Sequence, residues 1–166
     1  EKSKTLIDSK IFSKNNTMLG CSVDAKQKGT ESEIIYNNNK CGILAGHAYS
    51  ILDVIEIPNK NSSSKRKTSR LLRVRNPWGF KEWNGKWSDS SQEIEIFGEI
   101  IQKKLDDRYK DDNEKILLDE EDGTFLMGFK DFRNIFNRLF ICKDFDFGYT
   151  GISFIDEWDE SSSGGI

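Results

Sequence analysis

The chain has 166 residues and a formal net charge of −3, which allows one domain and part of a second. So small a charge argues against a nucleic-acid partner, and no apolar run approaches the roughly 18 residues of a membrane span. Charged residues are 32%, yet 11 Phe and 4 Trp supply a core that disordered chains lack.

In chain order, the polar start Glu1-Lys2-Ser3-Lys4 is not a signal peptide, so a cytoplasmic location is expected. Met18 to Val23 reads as a half-buried strand, with Leu19, Cys21 and Val23 alternating and Cys21 an inert buried thiol. A polar stretch to about Lys40 is long enough to be an exposed excursion. Cys41, after Asn37-Asn38-Asn39, is expected to be exposed and without chemistry. Period-2 alternation returns from His47 to Ile57, with His47, Tyr49 and Ile51 on one face and Ala48, Leu52 and Val54 near the other. Asn59 to Ser69 is a hairpin tip whose basic run, Lys65-Arg66-Lys67, reads as solvated. The strand Leu71 to Asn76 puts Leu72, Val74 and Asn76 on one face, and Pro77 ends it. Antiparallel pairing across the hairpin brings Asn76 back towards His47.

Ser90 and Glu93 have capping-box spacing and open a helix with Ile94, Phe97, Ile101 and Leu105 on one face. Asp106 to Asn113 reads as its exposed end and a loop. A turn at Gly123, a strand Thr124 to Phe129, a short helix Asp131 to Asn137 and a strand Leu139 to Cys142 complete the pattern, with Cys142 buried. Three cysteines without CxxC spacing suggest neither a disulfide framework nor a zinc site.

The chemistry centres on His47, the only histidine, and on Asn76, 29 positions later. A thiol with an ordinary pKa of about 8.5 is mostly protonated at neutral pH. A neighbouring histidine stabilises its thiolate and later delivers a proton to a leaving amine. An asparagine carbonyl that accepts the ring N–H orients the imidazole without adding charge. His47 and Asn76 supply two of these three groups, and Trp78 stands where it can shield their hydrogen bond from water.

Gly46-His47-Ala48-Tyr49-Ser50, followed by Arg75-Asn76-Pro77-Trp78-Gly79, resembles the second catalytic subdomain of the calpains, intracellular calcium-dependent cysteine proteases of papain-like fold. Leu19-Gly20-Cys21-Ser22-Val23-Asp24 and Glu82-Trp83-Asn84-Gly85-Lys86-Trp87-Ser88-Asp89 are similar to further family segments. So are Glu121-Asp122-Gly123-Thr124-Phe125-Leu126-Met127-Gly128-Phe129 and Arg138-Leu139-Phe140-Ile141-Cys142, and the family order holds from Met18 to Lys143. The resemblance implies an α+β fold over residues 1–144: a papain-like second half, with an antiparallel barrel-like sheet and a few peripheral helices. Residues 145–166 would be a linker and the start of a following β-sandwich domain, and Lys2 to Lys14 the tail of an upstream connection.

By the same resemblance His47 is the catalytic histidine and Asn76 its orienting partner. Trp78 matches a tryptophan that wedges into the inactive cleft and moves aside on calcium binding. The nucleophilic cysteine belongs to an upstream subdomain, because Cys21, 26 positions before His47, falls on a non-catalytic strand cysteine. Calcium is the implied cofactor, with Glu82, Asp89 and Asp122 as side-chain ligands and Glu120 offering a backbone carbonyl. Thr124 stands where the family usually has a further glutamate, which weakens such a site. Implied partners are protein substrates, the upstream thiol-bearing subdomain and the following β-sandwich, and the chain alone is expected to be inactive. Two alternatives stand beside this: a non-proteolytic, calcium-responsive scaffold, and an interaction module recruiting a partner through the basic hairpin Lys60 to Arg70.

Overall fold

The computed structural model describes residues 17–26, 29–58, 68–110, 118 and 121–143. The basic run at 65–67, Glu120 and both terminal segments lie outside them. Strands β1 (Thr17–Ser22), β2 (Ser32–Tyr36), β3 (Asn39–Ala45), β4 (Ala48–Pro58) and β5 (Thr68–Arg75) come first. Helix α1 (Gln92–Arg108), strand β6 (Thr124–Gly128), helix α2 (Phe129–Ile135) and strand β7 (Arg138–Lys143) follow. Five strands form one antiparallel sheet in the order β6-β5-β4-β1-β7, and β2 and β3 form a separate hairpin. This is the expected α+β arrangement of antiparallel strands with peripheral helices, and the sheet stays open.

One face of the sheet is covered from β6 to β1, and the other over β4, β5 and β6. On one, Tyr49, Ile51, Val54, Leu72, Val74, Phe125 and Met127 pack with Ile43 of the hairpin and with Phe129, Phe132 and Ile135 of α2. On the other, Ile55, Ile57, Leu71 and Leu126 pack beneath Ile101 and Leu105 of α1. Double-sided burial explains why β4 and β5 hold near-continuous apolar runs where one-sided strands would alternate. The polar stretch before Lys40, expected as an excursion, contains β2 and a two-residue turn in which Asn37 and Asn38 take φ of 49° and 68°. Asparagine tolerates that region better than other side chains.

Other details depart from the sequence pattern. The β4–β5 register shifts between Ile51 and Asp53, so Val54 returns to the face of Tyr49 and Ile51 and does not lie on the opposite one. Helix α1 is capped by Ser91, whose hydroxyl accepts from Ile94 N, and not by Ser90. Glu93 therefore closes no reciprocal box and instead pairs with Lys86 at 3.3 Å. Helix α2 begins at Phe129, two residues before the expected start. Cys41, expected to be exposed, is buried at 3% exposure, and Cys142, expected to be buried, is exposed. Cys41 lies on a strand entering the core, whereas Cys142 lies on edge strand β7 with Phe140, also exposed, on its own side. Among the described residues no helix is long and apolar enough to cross a membrane.

Candidate active site

His47 sits between Gly46 and the first residue of β4, at the end of the sheet where Asn76 follows Arg75, the last residue of β5. Gly46 has φ +76°, and a Cβ there would lie 2.7 Å from Thr30 O, so the turn presenting His47 accepts no side chain. Gly46 N also donates to Val23 O at 2.8 Å, tying the turn to the end of β1. The imidazole is 7% exposed and Asn76 0%. His47 Nε2 lies 2.8 Å from Asn76 Oδ1.

Asn76 is held so that its oxygen faces the ring. Its Nδ2 donates to Phe80 O at 2.7 Å and Lys81 O at 3.1 Å, using both amide hydrogens. Its Oδ1 also accepts Trp78 N–H at 3.0 Å. His47 Nε2 must therefore be the donor in the His–Asn bond. Trp78 lies over the imidazole at 4.5 Å between centroids, and Tyr49 meets it edge-on at 5.0 Å. The Tyr49 hydroxyl accepts Leu44 N–H at 2.9 Å, and burial pushes its pKa up to about 12, so this support stays neutral.

The other ring nitrogen, Nδ1, is 2.9 Å from Glu31 Oε1. With Nε2–H given to Asn76, Nδ1 carries a second proton only in the imidazolium, and in that form the Glu31 contact is an ion pair. Glu31 was not legible as a site residue: it lies in a polar stretch and reaches His47 through the packing of Thr30 against Gly46.

No cysteine of the chain takes the place of a nucleophile. Cys21 is fully buried opposite Tyr49, and desolvation pushes its pKa far above the usual thiol range. Burial likewise raises Cys41. Cys142 pairs with Met18, while Ser22, four residues along β1, pairs with Ala48 beside His47. That separation is about 13 Å along the strand.

The acidic residues lie on two adjoining loops. Trp83 enters the core on one face of the sheet and Trp87 on the other, pinning the loop that carries Glu82 and Asp89. Glu82 and Asp89 share a side-chain hydrogen bond, and both line an open cavity of about 440 Å³ with Asn84, Ser88 and Glu121. Burial lifts the Glu82 carboxyl above its ordinary range, and the charges of Asp122 and Glu121 add to this. Asp122 is turned elsewhere: its Oδ1 accepts Thr124 N–H at 2.6 Å, and it does not line the cavity. Among the described residues no three His, Cys, Asp or Glu side chains converge as a metal cluster. The two loops are nonetheless joined to the histidine. Glu82 Oε1 accepts Gly123 N–H at 2.7 Å, and Gly123 O accepts Asn76 N–H at 2.7 Å. A Cβ on Gly123, at φ +86°, would fall 2.6 Å from Asn76 O, so this close approach needs glycine.

The profile described as calpain family cysteine protease matches residues 1–143. The chain belongs to that family. It is 37% identical to human calpain-9 over 130 residues, covering 78% of this chain and 16% of the relative. It is 38% identical to calpain-A of Drosophila melanogaster over 131 residues, 77% of this chain and 14% of the relative. The mouse calpain-2 catalytic subunit is 32% identical over 127 residues, 76% of this chain and 15% of the relative. The chain thus spans about one seventh of these relatives, with 14–16% of their length covered.

Proposed function

We propose that this chain is the histidine–asparagine half of a cysteine endopeptidase whose nucleophilic thiol lies in an upstream subdomain, with residues 145–166 leading into a following β-sandwich domain. The observation that carries the reading is the oriented imidazole: Nε2–H held by Asn76 Oδ1 at 2.8 Å under Trp78, with Nδ1 turned away from the asparagine. In the reaction, His47 Nδ1–H faces the thiolate as its imidazolium partner. The thiolate attacks the scissile carbonyl and forms a tetrahedral oxyanion, stabilised by groups of the other half. His47 then gives its Nδ1 proton to the leaving amine as the C–N bond breaks. A water attacks the resulting thioester, His47 takes that water's proton, and the thiolate leaves. Glu31 holds Nδ1 in this chain, so it withdraws when the thiol arrives.

Calcium is the proposed regulator. Glu82 and Asp89 fit a hard cation: two hydrogen-bonded carboxyls in an open cavity, one of them lifted by burial, form an oxygen-rich site in which Glu82, Asp89 and Glu121 outnumber the one lining cation, Lys81. Asp122 joins them only if its loop turns, and Glu121 already lines the same cavity. A bound ion would supply charge neutralisation there, and the hydrogen bonds through Gly123 connect Glu82 to Asn76.

Peptide hydrolysis tests the reading. The parent polypeptide should lose at least about 10³-fold in kcat/KM with His47→Ala. Unchanged turnover by that variant, or turnover by the 166-residue chain alone in calcium, would sink it. Calorimetry on the chain tests the cation separately: calcium heats should vanish in Glu82→Gln and Asp89→Asn, and identical heats in all three proteins would remove the site.

A further inference from the structure

The chemistry above uses His47, Asn76 and Trp78 but leaves the Phe80 ring without a role. Phe80 is 53% exposed, and its ring stacks on Trp78 with centroids 5.7 Å apart and planes 24° apart. Trp78 is itself 44% exposed, so core packing contributes little to holding it. The contacts that fix the indole are His47 on one side, Phe80 on another, and the Lys81 ammonium 5.7 Å from the ring centroid. The Phe80 backbone is anchored in turn, because its carbonyl accepts Asn76 Nδ2–H at 2.7 Å. One residue thus reaches both groups that act on the imidazole: its carbonyl fixes the Asn76 amide, and its ring backs the indole.

We propose that Phe80 is a positioning residue whose ring keeps Trp78 closed over the His47–Asn76 hydrogen bond. An offset aromatic pair favours the closed indole by about fivefold over an open one. Without it Trp78 swings outward more often, water reaches Nε2–H, and the imidazole loses its fixed orientation. The catalytic consequence rests on the reading of the site as half of a cysteine peptidase, whereas the brace itself rests on the geometry of Trp78 and Phe80.

His47 is the only histidine, so its ring signals in two-bond ¹H–¹⁵N spectra of the 166-residue chain are unambiguous. Phe80→Ala should speed solvent exchange of Nε2–H about fivefold and weaken the ring-current shift on the imidazole carbon protons. Trp78→Ala should do at least as much, and Phe80→Tyr should keep the original rate. Amide exchange in β4 and β5 should stay unchanged, which separates opening of the indole from loosening of the fold. Wild-type exchange and shifts in Phe80→Ala, alongside fast exchange in Trp78→Ala, would overturn the brace. Phe80→Leu, which keeps bulk but no π face, is judged by the same criterion should the alanine variant fold poorly. In the parent peptidase Phe80→Ala should lower kcat about fivefold with KM unchanged. A parent without peptidase activity would remove the catalytic reading and leave the exchange result standing.

Discussion

Asn76 meets four hydrogen-bonding demands with one side chain. Its nitrogen serves the carbonyls of Phe80 and Lys81, and its oxygen serves Trp78 N–H and His47 Nε2–H. A carboxylate at this position would face two carbonyls with no hydrogen to give, so the amide is what the turn requires. Asn76→Ala leaves these buried partners unmatched and should cost about 2 kcal/mol. For a chain of this size that is a fall of about 4–8 °C in Tm, read by circular dichroism. In the parent enzyme kcat should drop about 10²-fold as the imidazole loses its orientation. The cysteines give a second check. Cys142 is exposed, whereas Cys21 and Cys41 are buried with thiols raised by desolvation. A thiol reagent should therefore titrate one sulfhydryl quickly and the other two only in denaturant. Three fast thiols would contradict the burial on which rejection of Cys21 as nucleophile rests.

Helix α1 is docked on the sheet by more than its apolar stripe. Asp53, 1% exposed at the β4 bulge, receives hydrogen bonds from Val54 N, from Tyr109 OH at 3.3 Å and from Arg108 at the end of the helix. Burial raises the Asp53 carboxyl above its ordinary value, and the Arg108 charge opposes that rise. Removing the charge with Arg108→Met leaves Asp53 buried and poorly paired, at a cost of about 2–3 kcal/mol near neutral pH. The sign of the pH dependence follows. Protonation discharges Asp53, so the penalty is largest above its raised pKa and shrinks as pH falls through it. Urea unfolding at pH 7.5 and pH 5 should show the gap from wild type narrowing at the lower pH; a constant gap would deny Asp53 that role. None of this network was legible in the sequence, because the bulge that turns Asp53 towards α1 interrupts a run that reads as simple alternation. Elements set by local pattern were legible: β1, β4, β5, the stripe of α1, and the hairpin that carries Asn76 to His47. Elements set by tertiary packing were not. The hairpin β2–β3 reads as polar excursion because its outward residues are Lys, Asn and Glu, and Glu31 reaches the site only because Gly46 admits Thr30.

At the scale of the whole molecule the site is an edge: His47 stands just before β4, Asn76 just after β5, and the connections carrying Glu31, Phe80 and Gly123 meet there. On the proposed function, a half of this kind must keep its imidazole in the working orientation while the nitrogen meant for a thiolate has no thiolate. Glu31 fills that need, with a carboxylate 2.9 Å from Nδ1 and 36% side-chain exposure against 7% for the histidine. With the ring protonated, such a pair, open to water on one side, contributes on the order of 1 kcal/mol. In the proposed assembled enzyme the same contact opposes the thiolate, since both anions seek one N–H. Glu31→Ala should therefore make assembly easier, raising kcat/KM of the parent about fivefold when calcium is limiting. The gain should fade at saturating calcium, where the thiolate already holds Nδ1. Rates measured across a calcium titration distinguish this from the opposite role: a loss at every calcium level would mean that Glu31 helps to orient His47 in the working enzyme and does not compete for it.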